Sequence, residues 1–208
     1  VETIQRHAEL IAHRTSVKLL VRRIADLDIE SDRGVAVDPA VLTIKAEEVL
    51  ADPAVEIVVE TIGGTTVAKD LVLAALEAGK PVVTANKALL AEHGKELFAA
   101  ASRNNVDFMY EASVAGGIPV LASLRKGLVA NHVKAIYGIL NGTCNYILTR
   151  MECDRISFGA ALASAQELGF AEADPTLDIE GIDTAHKAVV LGALAYGYPV
   201  EMSSVYTQ

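Results

Sequence analysis

Between residues 55 and 110, short apolar runs alternate with longer amphipathic stretches, and only a few residues connect them. Residues 55–60 (V-E-I-V-V-E), 81–84 and 106–110 read as strands, while 67–78, closed by Gly79, and 87–102 read as helices. Strands that alternate with helices through short connections fit an open parallel sheet, because each parallel crossover needs a helix. Upstream, residues 1–13 read as a helix with Ile4, His7, Ala8 and Ile11 on one face. Residues 17–25 (V-K-L-L-V-R-R-I-A) read as a strand, 26–39 as a polar loop containing Gly34, and 46–50 as a short helix. The expected architecture is α/β, with the parallel sheet covered by helices on both faces.

After Tyr110 the pattern changes. E-A-S-V-A-G-G-I-P-V is a small-residue loop that enters a helix at Ile118 or Pro119, proline being favoured at a first helical position. That helix is expected to run to about Gly127. Residues 133–140 (V-K-A-I-Y-G-I-L) read as a strand, N-G-T-C-N opens a helix reaching about Met151, and Ser157 caps another that ends at Gly169. Two domains are expected, 1–110 and 111–208, the second an α+β unit built on a smaller mixed sheet.

The strongest chemical signal is the stretch from Gly169 to Lys187, G-F-A-E-A-D-P-T-L-D-I-E-G-I-D-T-A-H-K. It carries Glu172, Asp174, Asp178, Glu180 and Asp183, ends in a lysine, and leads into the apolar run 188–200. Asp178 can cap a helix there, Glu180 suits its positive first turn, and Gly197 with Pro199 can end it. On such a helix Asp183, Lys187, Val190 and Leu194 share one stripe. An exposed i,i+4 pair of this kind contributes only a few tenths of a kcal/mol. The turns that follow are apolar all round, however, so the pair sits at the mouth of a buried helix. Charges there are costly unless a partner or a ligand uses them. The stretch reads as the floor of a pocket for something with a positive group.

Net charge is −9 and the isoelectric point about 5.0, with no basic patch, which argues against a nucleic-acid partner. No apolar run reaches the roughly 18 residues a membrane span needs, and no secretory pattern opens the chain. Cys144 and Cys153 have no framework spacing and fit a reducing cytoplasm. A dinucleotide-binding sheet begins with a strand, a glycine-rich turn and a helix that holds the pyrophosphate. Here no glycine precedes Gly34. The first strand and its turn are expected upstream of residue 1, and the 208 residues alone are expected to be inactive.

Four blocks in order carry a resemblance: V-V-T-A-N-K-A-L-L-A (82–91), E-A-S-V-A-G-G-I-P (111–119), G-I-L-N-G-T-C-N-Y-I-L-T-R-M (138–151) and L-G-F-A-E-A-D-P-T-L-D-I-E-G-I-D-T-A-H-K (168–187). Together they resemble homoserine dehydrogenase across most of residues 55–190. The resemblance implies an incomplete Rossmann-type sheet followed by a substrate and dimerisation domain. It also implies NADP- or NAD-dependent interconversion of L-homoserine and L-aspartate 4-semialdehyde, on the route to threonine and methionine. By the same resemblance Lys187 is the proton donor, with Asp183 beside it in the catalytic pair. The substrate ammonium falls to Glu172, Asp183 and Asp178, and its carboxylate to the helix start at Gly142 and Thr143. Thr61, Gly63, Lys87, Gly169 and Glu172 match cofactor-binding positions. Glu111, Val114, Gly116 and Ile118 match a monovalent-cation (Na+) site, and the family implies a homodimer or homotetramer. Arg22 and Arg23 suit a 2′-phosphate while Asp26 suits a free ribose, so the cofactor choice stays open.

Two residues point elsewhere. Cys144 at a helix N-terminus can be an activated thiolate, which would suit a phosphorylating semialdehyde dehydrogenase working through a thioester. A small half-buried hydrophobe is the plainer reading. His186 lies about 100° round the helix from Lys187 and reads as packing. The alternative to an enzyme is a non-catalytic oligomerisation or regulatory fragment that keeps the same sheet.

Overall fold

A computed structural model describes residues 1–207. Its centre is a parallel three-stranded sheet of β3 (Val58–Glu60), β4 (Val82–Thr84) and β5 (Phe108–Met109), in the order β3-β4-β5. Helix α4 (Val67–Glu77) connects the first two strands and α5 (Lys87–Asn104) the next two. Gly79, at φ +75°, takes the left-handed turn after α4 that other residues resist. Asn86 starts α5 by accepting the Leu89 N–H on its side-chain oxygen at 3.0 Å, a cap contributing about 1 kcal/mol.

One sheet face packs on these helices. Val82 and Phe108 are buried there with Val72, Leu76, Leu89 and Leu97, each large apolar side chain contributing roughly 1.5–3 kcal/mol. The other face differs from expectation. Val59, Val83 and Met109 align across the strand register and are all exposed, Val59 at 60%. The sheet is covered on one face, because among the described residues no helix lies over that row.

The upstream segment forms α1 (Glu2–Arg6) and α2 (Ala8–Thr15), broken at His7, in place of one helix. The strand expected over 17–25 shrinks to β1 (Ile24–Ala25), paired in parallel with β2 (Leu42–Thr43), a strand the sequence pattern did not reveal. Helix α3 (Ala46–Ala51) follows it.

Beyond Met109 the described residues hold no strand. Residues 133–140 run without a ladder partner among the described residues, with Tyr137 93% exposed, so the mixed sheet expected in the second half does not form there. Helices make up that half: α6 (Val120–Ala122), continued by a π-helical turn Ser123–Gly127, then α7 (Gly142–Asp154), α8 (Phe158–Glu167), α9 (Thr176–Ile179) and α10 (Ile182–Tyr196). Asp178 does not cap α10. It lies inside α9, and Gly181 in the left-handed conformation precedes α10 instead. Gly197 ends α10 as expected. Val190 and Leu191 of α10 join the core formed by α4, α5 and the sheet, so the long acidic-to-apolar stretch is built into the same interior.

Candidate active site

Helix α10 brings its first turn against the start of α5 and the 140–141 segment. Asp183 is 7% exposed. Its Oδ2 accepts from Lys187 Nζ at 2.7 Å and from Asn141 Nδ2 at 2.9 Å, and its Oδ1 lies 3.1 Å from Lys87 Nζ. Burial pushes the Asp183 carboxyl up, but hydrogen bonds from Lys187, Asn141 and Lys87 outweigh it and hold the group below the ordinary aspartate range. Lys187 also donates to the Leu140 carbonyl at 2.6 Å, which leaves one ammonium hydrogen for a ligand. Asn141 donates its other amide hydrogen to Asp178 Oδ1 at 2.7 Å, and its oxygen caps α7 by accepting the Cys144 N–H at 2.7 Å.

Of these groups Lys87, Asp178 and Asp183 line a cavity of about 600 Å³ at the carboxyl ends of β3 and β4, while Lys187 and Asn141 stand behind its wall and reach it through Asp183. Its wall includes Thr61, Gly63, Lys87, Gly169, Glu172, Asp178 and Asp183, so the expected cofactor positions and the expected ammonium carboxylates share one space. A larger groove of about 780 Å³ between α5, α10 and residues 197–201 shares no lining residue with it and contains none of the Lys87–Asp183–Lys187 cluster. The smaller cavity is the chemical one, since the buried Asp183 and its partner Lys87 stand on its wall.

Sequence reasoning missed part of the wall. Glu60, buried at the end of β3, accepts the N–H groups of Ile62 at 2.7 Å and Gly63 at 3.0 Å and the Thr84 hydroxyl at 2.5 Å. Asn86 Nδ2 donates to the Gly64 carbonyl at 2.8 Å, pinning the far end of the same T-I-G-G turn. The visible signal was a carboxylate ending an apolar strand, a costly place for a charge without donors.

Other expected groups sit differently. The first-turn N–H groups of Gly142 and Thr143 have no intrahelical acceptor, but neither residue lines the cavity, and the Thr143 hydroxyl is spent on the Phe170 carbonyl at 2.7 Å. The cation set lies apart from the cavity, at the turn before α6, where Glu111 Oε1 accepts the Leu121 N–H at 3.0 Å. There Ala115 and Gly117 both take positive φ, so the backbone between Glu111 and Ile118 curls tightly. Cys144 is not an activated thiolate: burial pushes its thiol up, the charges of Asp178 and Asp183 add to that, and Sγ donates to the Asp178 carbonyl at 3.2 Å. His186, expected only to pack, is buried on α10 but also lines the cavity, and that burial lowers its pKa.

A parallel sheet with an open, charged cavity at its carboxyl edge defines the Rossmann-like class of nucleotide-binding α/β proteins. A family model described as "Homoserine dehydrogenase, NAD binding domain" matches residues 1–111, and one described as "Homoserine dehydrogenase" matches 119–208. The chain belongs to the homoserine dehydrogenase family. It is 46% identical to the homoserine dehydrogenase of Neisseria gonorrhoeae over 203 residues, covering 97% of this chain and 46% of that protein. The Pseudomonas aeruginosa enzyme is likewise 46% identical, over 99% of this chain and 47% of its own length. The chain thus spans about half the length of the curated relatives it matches. The solved homoserine dehydrogenase of Thiobacillus denitrificans superposes with a TM-score of 0.94 at 45% identity, covering 99% of this chain and 48% of that one. A hyperthermophilic archaeal homoserine dehydrogenase solved with NADPH superposes at 0.70 with 30% identity, covering 78% of this chain and 52% of that one.

Proposed function

We propose that the protein is an NADP- or NAD-dependent oxidoreductase interconverting L-homoserine and L-aspartate 4-semialdehyde, a cytoplasmic step in making threonine and methionine. The observation that carries this reading is the Lys87–Asp183–Lys187 chain of ion pairs beside a cavity at the carboxyl edge of β3 and β4. The residues present fit a dinucleotide: Gly63 and Gly64 have positive φ and open space where a side chain would stand, and Lys87 offers a cation on the same wall. Gly169 and Glu172 complete the nucleotide side, with Thr61. The archaeal relative's NADPH supports the same cofactor class.

The nicotinamide, when bound, exchanges a hydride with the substrate's terminal carbon. Lys187 then supplies the proton that turns the aldehyde oxygen into a hydroxyl, and takes it back in the reverse direction. Asp183 and the Leu140 carbonyl hold that ammonium in place. Glu172, Asp178 and Asp183 receive the substrate ammonium, and the N–H groups of Gly142 and Thr143 its carboxylate. Glu111 with the carbonyls of Val114, Gly116 and Ile118 suits a hard monovalent cation such as Na+, since one carboxylate and a curled loop make an oxygen-only donor set.

Residues 133–140, with Tyr137 and Ile139 exposed and no ladder partner among the described residues, support a two-fold dimer or a multiple of it through this segment. Sedimentation of a stable monomer at micromolar concentration would refute that assembly. For the activity, the test is homoserine-dependent reduction of NADP+ or NAD+ by the intact protein, with NADPH binding followed by fluorescence. Nucleotide binding together with homoserine turnover is expected; a protein that binds nucleotide yet leaves homoserine unchanged overturns the substrate.

A further inference from the structure

A helix cap needs only an oxygen, and serine or aspartate serves as well as asparagine. Asn141 does more than cap α7. Its amide has two N–H groups, and each goes to a different carboxylate, Asp178 on α9 and Asp183 on α10. Two carboxylates within hydrogen-bond reach of a single nitrogen repel each other unless a donor stands between them. The residue before it binds Lys187 through its backbone carbonyl. Leu140 and Asn141 thus tie α7, α9 and α10 to Lys187.

We propose that Asn141 is the positioning residue that holds the Asp178 and Asp183 side chains convergent, as a pair able to receive a ligand ammonium. The ligand in this statement rests on the function proposed above; the pairing does not. The titratable groups around Asp183 are Lys187 and His186 on its own helix, Lys87 from α5 and Asp178 from α9. Two cations are already engaged with Asp183, so Asp178 is the carboxylate with no lysine on it among these contacts, and Asn141 alone steadies it there.

Two substitutions separate positioning from capping. Asn141→Ser keeps a capping oxygen and removes both amide donors. Asn141→Asp keeps the oxygen and turns the donor into a third carboxylate. The Asp183 carboxyl is titrated by carbon NMR in the wild type and in each variant, and KM for L-homoserine is measured on the same proteins. The Asp183 pKa is expected to rise towards the ordinary range in Asn141→Ser and further in Asn141→Asp. KM is expected to rise about ten-fold in Asn141→Ser, the loss of one charge-assisted contact, and by more than kcat falls. An Asp183 titration unmoved in the serine variant would leave Asn141 as a cap only and overturn the proposal. Wild-type protein inert towards homoserine breaks the functional reading instead, and the titration still decides the positioning role.

Discussion

Glu60 and Asp183 are carboxylates on the wall of one cavity, 4% and 7% exposed, yet they are held in opposite ways. Every group donating to Glu60 is neutral: two backbone N–H groups of its own turn and the Thr84 hydroxyl. Asp183 takes one amide and two ammonium groups. Neutral donors fold a turn and stay where they are. Cations on flexible stems can be shared with a ligand, and their protons can be transferred. Burial alone therefore does not single out the reactive carboxylate; the chemistry of its donors does.

The sharpest test of that contrast is Lys187→Ala in the full-length enzyme, which should lower kcat about 10²–10⁴-fold, the usual contribution of a positioned proton donor, while NADPH affinity stays near wild type. A nearly normal kcat would remove Lys187 from the chemistry. Next comes Asp183→Asn, which leaves two lysines facing a neutral partner. Because Lys87 is more than a third exposed, water softens the loss, and urea unfolding should show about 2 kcal/mol of destabilisation. Glu172→Gln should raise KM for homoserine about ten-fold, one charge-assisted contact; an unchanged kcat/KM would take Glu172 out of the ammonium site.

Acid sharpens the comparison in a different way. His186 has a lowered pKa in the folded chain, chiefly from burial. Its contribution is present above about pH 6.5, the unfolded value, and is lost as pH falls through the lowered one. Asp183 is lowered as well, despite its burial, so its contribution is present above about pH 3.9 and is lost below that. Stability should fall in two stages on acidification, and His186→Gln should erase the first. A single stage in both proteins would contradict the buried neutral histidine. The smallest effect is expected at Glu60→Gln, where an amide oxygen still accepts both backbone N–H groups and the Thr84 hydroxyl can turn to accept. The loss should be roughly 1 kcal/mol or less. A cost equal to that of Asp183→Asn would erase the distinction between the two carboxylates.

The helices were the legible part. Ser157 announces α8 as a cap and Gly79 closes α4, and the 3.6-residue period carries the helices between, because a helix satisfies its own backbone. Strands depend on a neighbour the local sequence does not contain. Residues 17–25 have strand-like side chains but pair only at Ile24–Ala25, and residues 133–140 pair with nothing among the described residues. Leu42–Thr43 is a strand only because Ile24–Ala25 lies beside it. The site divides in the same manner. Asp183 and Lys187 sit one helical turn apart and could be read together. Asn141 reaches Asp183 across 42 residues and Thr84 reaches Glu60 across 24, separations that only the fold closes.

Helix α7 has a thiol near each end. Cys144, in the first turn, is half-buried, shifted towards the protonated form and committed to the Asp178 carbonyl, whereas Cys153, near the last turn, is exposed. Alkylating reagents attack the thiolate and need access, so a maleimide dye will react at Cys153 and spare Cys144. Within these 208 residues Cys153 thereby becomes the attachment point for a fluorophore or spin label, on the same helix whose capping residue grips the site carboxylates.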